Sequence, residues 1–156
     1  MKGLQSENGT IKTFSRVPKS FGKVVGGFNS LSSSELETYG FYDIVTPATT
    51  ASQELGSIAW DSSNSVFTYP VENKTFSESL AEMKTEKVTE LKSIYGHELS
   101  KTDWIVLRDQ ELGNTSDSAV TSARATLRGA CATKETAING KTTKAQVADY
   151  TLPNLN

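Results

Sequence analysis

The chain has few of the residues that enzymes and metalloproteins use at their sites. Among its 156 residues there is one cysteine, Cys131, and one histidine, His97. A single cysteine excludes a disulfide within the chain, and one histidine with one cysteine leaves zinc without its usual nitrogen and sulfur ligands. Cys131 is then a small buried apolar residue, and the alternative is one half of an intermolecular disulfide or a reactive thiol. We expect neither a metal nor a cofactor.

Charge and hydropathy argue against two further classes of partner. The chain carries 16 basic and 18 acidic residues, a net charge of -2, whereas proteins that bind nucleic acid normally carry a basic excess that neutralises phosphates. No run approaches the roughly 20 apolar residues that a membrane-spanning helix needs, and the first residues lack the apolar core of a secretion signal. We therefore expect a soluble protein made in a cytoplasm, with neither nucleic acid nor membrane as its partner.

Motifs of catalysis are missing as well. A catalytic triad would have to use His97 as its base, yet no nucleophile signature accompanies this residue in Tyr95–Leu99. The glycine pair at Gly26 lacks the Gly-Lys-Ser/Thr ending of a phosphate-binding loop. The acidic residues Asp109, Glu111 and Asp117 lack the spacing of a calcium loop and are interpreted as solvated charge. The sequence therefore predicts no enzymatic activity.

Strand and turn patterns dominate residues 1–73. Asn8-Gly9 is a strong signal for a hairpin, and the aromatic and β-branched run Phe41–Val45 predicts a strand. A second hairpin is predicted around the turn Asp61–Asn64, with alternation that continues its second strand as far as Val71. A short helical turn is expected over residues 34–37.

Helical patterns replace the strands from residue 74 onward. Thr75–Glu78 has the spacing of a capping box and predicts the start of an amphipathic helix, which Gly96 is expected to end. Further helices are predicted from Asp103 with Thr102 as cap, from about residue 118 with Ser116 or Asp117 as cap, and near the C-terminus with Thr143 as cap. The fold class is therefore α+β, with a β-rich domain at 1–73 and a helical domain at 74–156.

One segment resembles a known family. Residues Thr102–Gly113 read Thr-Asp-Trp-Ile-Val-Leu-Arg-Asp-Gln-Glu-Leu-Gly, and Arg124–Arg128 reads Arg-Ala-Thr-Leu-Arg. Together they resemble the signature of the phage tail assembly chaperone family, in which a Thr-Asp-Trp turn follows a long helix and the last helix carries two arginines. The segments Gly40–Tyr42 and Leu152-Pro153 are also similar to parts of such proteins. The likeness spans residues 35–155, and its specific part is 102–128.

The resemblance implies a non-enzymatic bacteriophage tail protein that binds tail fibre or baseplate proteins. We expect a resident structural or adaptor component of the virion tail, since exposed β edges can pair with a neighbouring chain and Cys131 can add a covalent link, in a homo-oligomer for example. The alternative is a transient tail fibre assembly chaperone that is absent from the mature virion.

The same segment supplies the candidate partner-binding residues. Trp104 is expected to anchor a core, and Arg108 and Glu111 have the i, i+3 spacing of an ion pair. Two readings stay open for Arg124 and Arg128. They either hold the helical corner together through Asp109 or Glu111, or bind carboxylates of a partner.

Overall fold

The computed structural model describes residues 1–155 and confirms the α+β fold class. The chain divides into two compact units, Met1–Lys74 and the residues from Thr75 onward. Strands lie in the first unit, and the long helices lie in the second. Among residues 1–155, no helix has both the length and the apolar character that crossing a membrane requires.

The first unit is built from seven short strands, one short α-helix and one 3-10 helix at Phe28–Ser30, and it contains two sheets. A five-stranded sheet has the order β2-β1-β3-β6-β5, and β4 pairs with β7 in a separate sheet. All pairings are antiparallel except that of β3 with β6. The elements are β1 (Lys2–Gln5), β2 (Ile11–Phe14), α1 (Ser33–Thr38), β3 (Phe41–Val45), β4 (Gln53–Leu55), β5 (Ala59–Asp61), β6 (Val66–Thr68) and β7 (Val71–Asn73).

Both predicted hairpins are confirmed, with one correction. Gly9 takes the left-handed conformation (φ +82°) in the turn between β1 and β2, which glycine adopts without steric cost. The second hairpin joins β5 to β6, but its second strand ends at Thr68. The prediction that it continues to Val71 is wrong, because Pro70 has no amide hydrogen for the ladder. Val71 instead pairs with Leu55 in the other sheet.

The core of the first unit is aromatic. Phe28, Leu36 and Phe41 are buried together, and the Phe21 ring meets Phe41 edge to face with centroids 4.8 Å apart. The predicted short helix is confirmed as α1, which supplies Leu36. Ser32 caps this helix with its hydroxyl, fixing the direction from which Leu36 enters the core.

The second unit consists of α2 (Leu80–Ser100), α3 (Asp103–Glu111), α4 (Ser118–Asn139) and α5 (Lys144–Ala148). The long helices α2 and α4 pack on each other around Leu91, Tyr95 and Ile138, all of which are buried. The segment after α5 adds Tyr150, Leu152 and Leu155 to this cluster. The helices thus form one apolar core from which α3 branches.

The start and the end predicted for α2 are both wrong. The helix begins at Leu80 and not near Thr75, because Ser79 and Glu82 form the capping box that is observed. The Ser79 amide donates to the Glu82 carboxylate over 2.7 Å, which lowers the pKa of that carboxyl. At the other end the helix runs through Gly96 to Ser100. A glycine costs a helix only about 1 kcal/mol, which the burial of Tyr95 in the core outweighs.

The two later caps are as predicted. The Asp117 carboxylate accepts a hydrogen bond from the Ala119 amide over 2.7 Å at the start of α4. The Thr143 hydroxyl accepts one from the Gln146 amide over 3.2 Å at the start of α5. Each cap satisfies a backbone donor that the first helical turn leaves without a partner.

Replacing Gly3 by alanine should destabilise the first unit. A Cβ at this position would lie 2.5 Å from Cδ2 of Phe67, whose side chain is buried and has little room to move. We expect the free energy of unfolding to fall by about 1–3 kcal/mol, as for other overpacked cores. Urea denaturation followed by circular dichroism measures the change. Gly129→Ala in α4 is the comparison, since nothing lies within 4 Å of its added Cβ and alanine favours a helix over glycine, so this variant should not be destabilised. An unchanged midpoint for the Gly3 variant would contradict the packing described.

Candidate protein-docking surface

Helix α3 turns a largely apolar face toward solvent. Trp104 and Leu107 are 59% and 56% exposed, and Leu112, just past the helix end, is 66% exposed. Residues spaced by three and four positions share one side of a helix, so Arg108 and Glu111 belong to the same side. We call this surface the α3 face. Its members are Trp104, Leu107, Arg108, Glu111 and Leu112.

The prediction that Trp104 anchors a core is therefore wrong. The buried residue of α3 is Asp109, and Ile105 and Val106 are partly buried, so these three positions define the inner side of the helix. Trp104 and Leu107 lie on the other side. Large apolar side chains gathered on a surface mark interaction sites more often than scattered ones do, so the exposure itself points to a docking role.

Arg108 holds the exposed indole in place. Its guanidinium carbon lies 5.2 Å from the centroid of the Trp104 ring, a distance at which cation and ring attract each other. Its Nε and Nη2 atoms also donate to Oδ1 of Asp109 over 3.0 and 2.7 Å. These contacts restrict the side chains of Trp104 and Arg108 in the free protein, which reduces the entropy that these two side chains lose on binding.

The predicted pair of Arg108 with Glu111 is not among the ion pairs of residues 1–155. Arg108 pairs with its neighbour Asp109 instead. Asp109 is only 6% exposed, so its interpretation as solvated charge is also wrong. A buried carboxylate without a partner is costly, whereas an exposed i, i+3 pair contributes only about 0.2–0.5 kcal/mol. Arg108 therefore forms its ion pair with Asp109 and not with Glu111.

Arg124 points inward, toward the corner between α2 and α3. Its Nη1 atom donates to the carbonyl oxygen of Leu99 and to Oγ1 of Thr102, both over 2.6 Å. Its Nη2 atom donates to Oδ1 of Asp103 over 2.7 Å. Arg124 is 9% exposed, so the structure favours the first of the two readings, with Asp103 as the acid that it reaches. Asp109 or Glu111 as its carboxylate partner was wrong.

Thr102 does not cap α3 as predicted. The Thr102 hydroxyl donates to the carbonyl oxygen of Leu99 over 3.1 Å and makes no side-chain cap of α3, contrary to the prediction. The hydroxyl instead bonds Leu99 and Arg124 at the corner.

Arg128 is exposed on α4 one turn beyond Arg124, and within residues 1–155 it has no ion pair. It stays available to a partner's carboxylate.

The remaining candidates lie elsewhere in the second unit. Cys131 is partly buried and packs against the cluster of Leu91 and Ile138, as expected of a small apolar side chain, and its intermolecular disulfide stays a prediction. His97 lines an open pocket of about 470 Å³ that also includes Ser93. No hydrogen bond joins His97 to Ser93 in the described part of the chain, and there no group of three or more His, Cys, Asp and Glu residues is placed to hold a metal ion.

Comparison with protein-family models, with curated proteins and with solved structures finds no match to this chain. The surface is therefore interpreted from its own chemistry. Its centre is apolar, and Arg108 and Glu111 give it charge of both signs, which is the usual arrangement of a protein-binding surface. Sequence reasoning missed Leu107 and Leu112, although their spacing from Trp104 was a signal that could have found them.

Proposed function

We propose that this chain is a non-enzymatic bacteriophage tail protein that binds other tail proteins through the α3 face. The observation that carries the proposal is the exposed Trp104, held by Arg108 beside the exposed Leu107. Tryptophan and arginine are the residue types most often found at the energetic centres of protein interfaces. The resemblance of residues 102–128 to the phage tail assembly chaperone signature supports tail fibre or baseplate proteins as the partners.

The geometry supports insertion of α3 into a groove of the partner. The nine-residue helix presents its large side chains at positions i, i+3 and i+4, the spacing of helices that bind in hydrophobic grooves. Trp104 would fill a pocket there, since a buried tryptophan removes about 150–250 Å² from water. Arg108 and Glu111 would meet opposite charges beside the groove and fix the orientation of the helix.

Within this proposal, the chain is a resident structural or adaptor component of the tail fibre or baseplate region of the virion. An adaptor needs a second contact besides the α3 face. The first unit offers one, because β2 and β5 are the edge strands of its five-stranded sheet. Each edge presents backbone donors and acceptors that a strand of another chain can pair with.

The second candidate is a tail fibre assembly chaperone that leaves after assembly. The family resemblance favours it, and so does an apolar face on α3 that its own chain leaves uncovered, as a protein that holds folding intermediates requires. Both candidate functions use the α3 face. They differ in whether the protein stays in the mature virion or leaves after assembly.

Mass spectrometry of purified particles separates the two candidates. We expect the protein in mature virions at a fixed ratio to the tail fibre protein, because a resident component is retained in every particle. A marker of the host cytoplasm, quantified in the same sample, controls for carry-over. Absence from virions, combined with higher fibre solubility when this chain is co-expressed, would refute residence and assign the chaperone role.

A further inference from the structure

Helix α3 has less apolar packing than α2 and α4, since Ile105 and Val106 on its inner side are only partly buried. Its buried residue is Asp109, and its largest apolar side chains, Trp104 and Leu107, face solvent. The helices α2 and α4, in contrast, share the buried cluster of Leu91, Tyr95 and Ile138. The direction of α3 must therefore depend strongly on polar contacts.

Arg124 of α4 supplies such contacts at one place. Its three hydrogen bonds reach Leu99 in the last turn of α2, Thr102 in the connection, and Asp103 in the first turn of α3, over 2.6, 2.6 and 2.7 Å. The planar guanidinium has its donors in a fixed fork, so it fixes the directions of its acceptors as well as their distances. One side chain thus ties three consecutive parts of the chain to α4.

We propose that Arg124 is the positioning residue of the α3 face, setting the angle at which α3 leaves α2 and so where Trp104 is presented. The importance of that angle for binding rests on the proposed function, whereas the positioning itself does not. Since polar bonds hold the corner and apolar packing holds α2 against α4, loss of the bonds should release α3 while the helix pair stays folded.

Hydrogen exchange of the full chain tests this directly. Arg124→Ala should speed exchange of the α3 amides by about tenfold or more, because hydrogen bonds to a charged group are stronger than neutral ones and hydrogen exchange reports local opening. Amides around Leu91 and Ile138 should keep their wild-type rates. Arg128→Ala removes the same side chain from an exposed position of α4 and is the matched control, with wild-type exchange expected throughout.

Arg124→Lys distinguishes positioning from charge. The ammonium keeps the charge but has no fork to span three acceptors, so α3 exchange should fall between wild type and Arg124→Ala. If Arg124→Ala fails to fold, Thr102→Val and Asp103→Asn take its place, since each removes or weakens one bond to Arg124. Both should speed α3 exchange, and by less than the loss of all three bonds.

Two results would overturn the proposal. One is α3 exchange at wild-type rates in every variant, and the other is an equal increase in α2, α3 and α4, which would mean that Arg124 only stabilises the unit. Neither result bears on the proposed function, because no partner is present in the experiment. Conversely, if a fibre protein bound the Trp104→Ala variant as tightly as the wild type, the proposed function would be refuted and the positioning role of Arg124 would be unaffected.

Discussion

Replacing Trp104 by alanine is expected to weaken binding to the proposed partner, a phage tail fibre protein, by about 30- to 700-fold, the equivalent of 2–4 kcal/mol at an interface hot spot. The indole is 59% exposed and makes up much of the apolar area of the α3 face. Its removal therefore takes away contact with the partner while costing the free protein little. Isothermal titration calorimetry of the two purified proteins gives the Kd.

The control for this experiment is Val25→Ala. Val25 is 90% exposed and lies in the first unit, so its truncation also removes exposed apolar surface but not from the α3 face. We expect its Kd to equal that of the wild type. Thermal unfolding should give nearly the same Tm for all three proteins. A wild-type Kd for Trp104→Ala, or a weaker Kd that accompanies a large fall in Tm, would refute the role given to the indole.

Leu91→Ala should lower the free energy of unfolding of the second unit by about 2–5 kcal/mol, the cost of a cavity in a core that relaxes only partly. Leu91 is fully buried between Tyr95 and Ile138. A domain of ordinary stability has only about 5–15 kcal/mol in total, so the loss is a large fraction of it. Urea denaturation followed by circular dichroism at the helical band measures the change.

Leu112→Ala makes the same chemical change on the surface and serves as the matched control. Leu112 is 66% exposed, and substitutions at such positions usually stay within about 0.5 kcal/mol. Leu91→Ala should therefore destabilise the unit several-fold more than Leu112→Ala does. Leu112→Ala should weaken fibre binding more than Leu91→Ala does. Equal destabilisation by both would mean that the assignment of core and docking residues is wrong.

The elements that sequence reasoning placed correctly are those whose signals are local. Asn8-Gly9 specifies a hairpin through the conformations that the turn itself requires, and Asp117 and Thr143 cap helices through bonds to amides two or three residues away. The parallel pairing of β3 with β6 was not predicted, because it joins residues about 23 positions apart and no local pattern encodes it. The strands β4 and β7 are only three residues long and leave no periodicity to detect.

In the candidate site as well, features that depend on tertiary contacts were not predicted. Sequence reasoning selected Trp104, Arg108 and Glu111, which lie together on the α3 face, but it wrongly assigned Trp104 to a core. Whether Trp104 faces inward depends on which side of α3 meets the rest of the unit, and a buried Asp109 on that side reverses the usual expectation for apolar and charged residues. The inward direction of Arg124 likewise depends on how α4 crosses the α2–α3 corner, which is a tertiary feature.

The start of α2 was predicted one turn too early because two capping-box motifs lie next to each other. Thr75–Glu78 and Ser79–Glu82 share the same spacing, so the motif alone offers two starts that are one turn apart. The structure uses the later one, with both reciprocal bonds present. Sequence reasoning chose the earlier of the two, because the motif itself does not distinguish them.

A photo-crosslinking side chain at position 107 tests the central claim most directly. In a complex of this 156-residue chain with the tail fibre protein proposed as its partner, a photoactivatable phenylalanine in place of Leu107 should form a covalent adduct with the fibre on illumination. The same probe in place of Val25 should form none. A complex that assembles normally yet gives adducts from position 25 and not from position 107 would contradict docking through this helix.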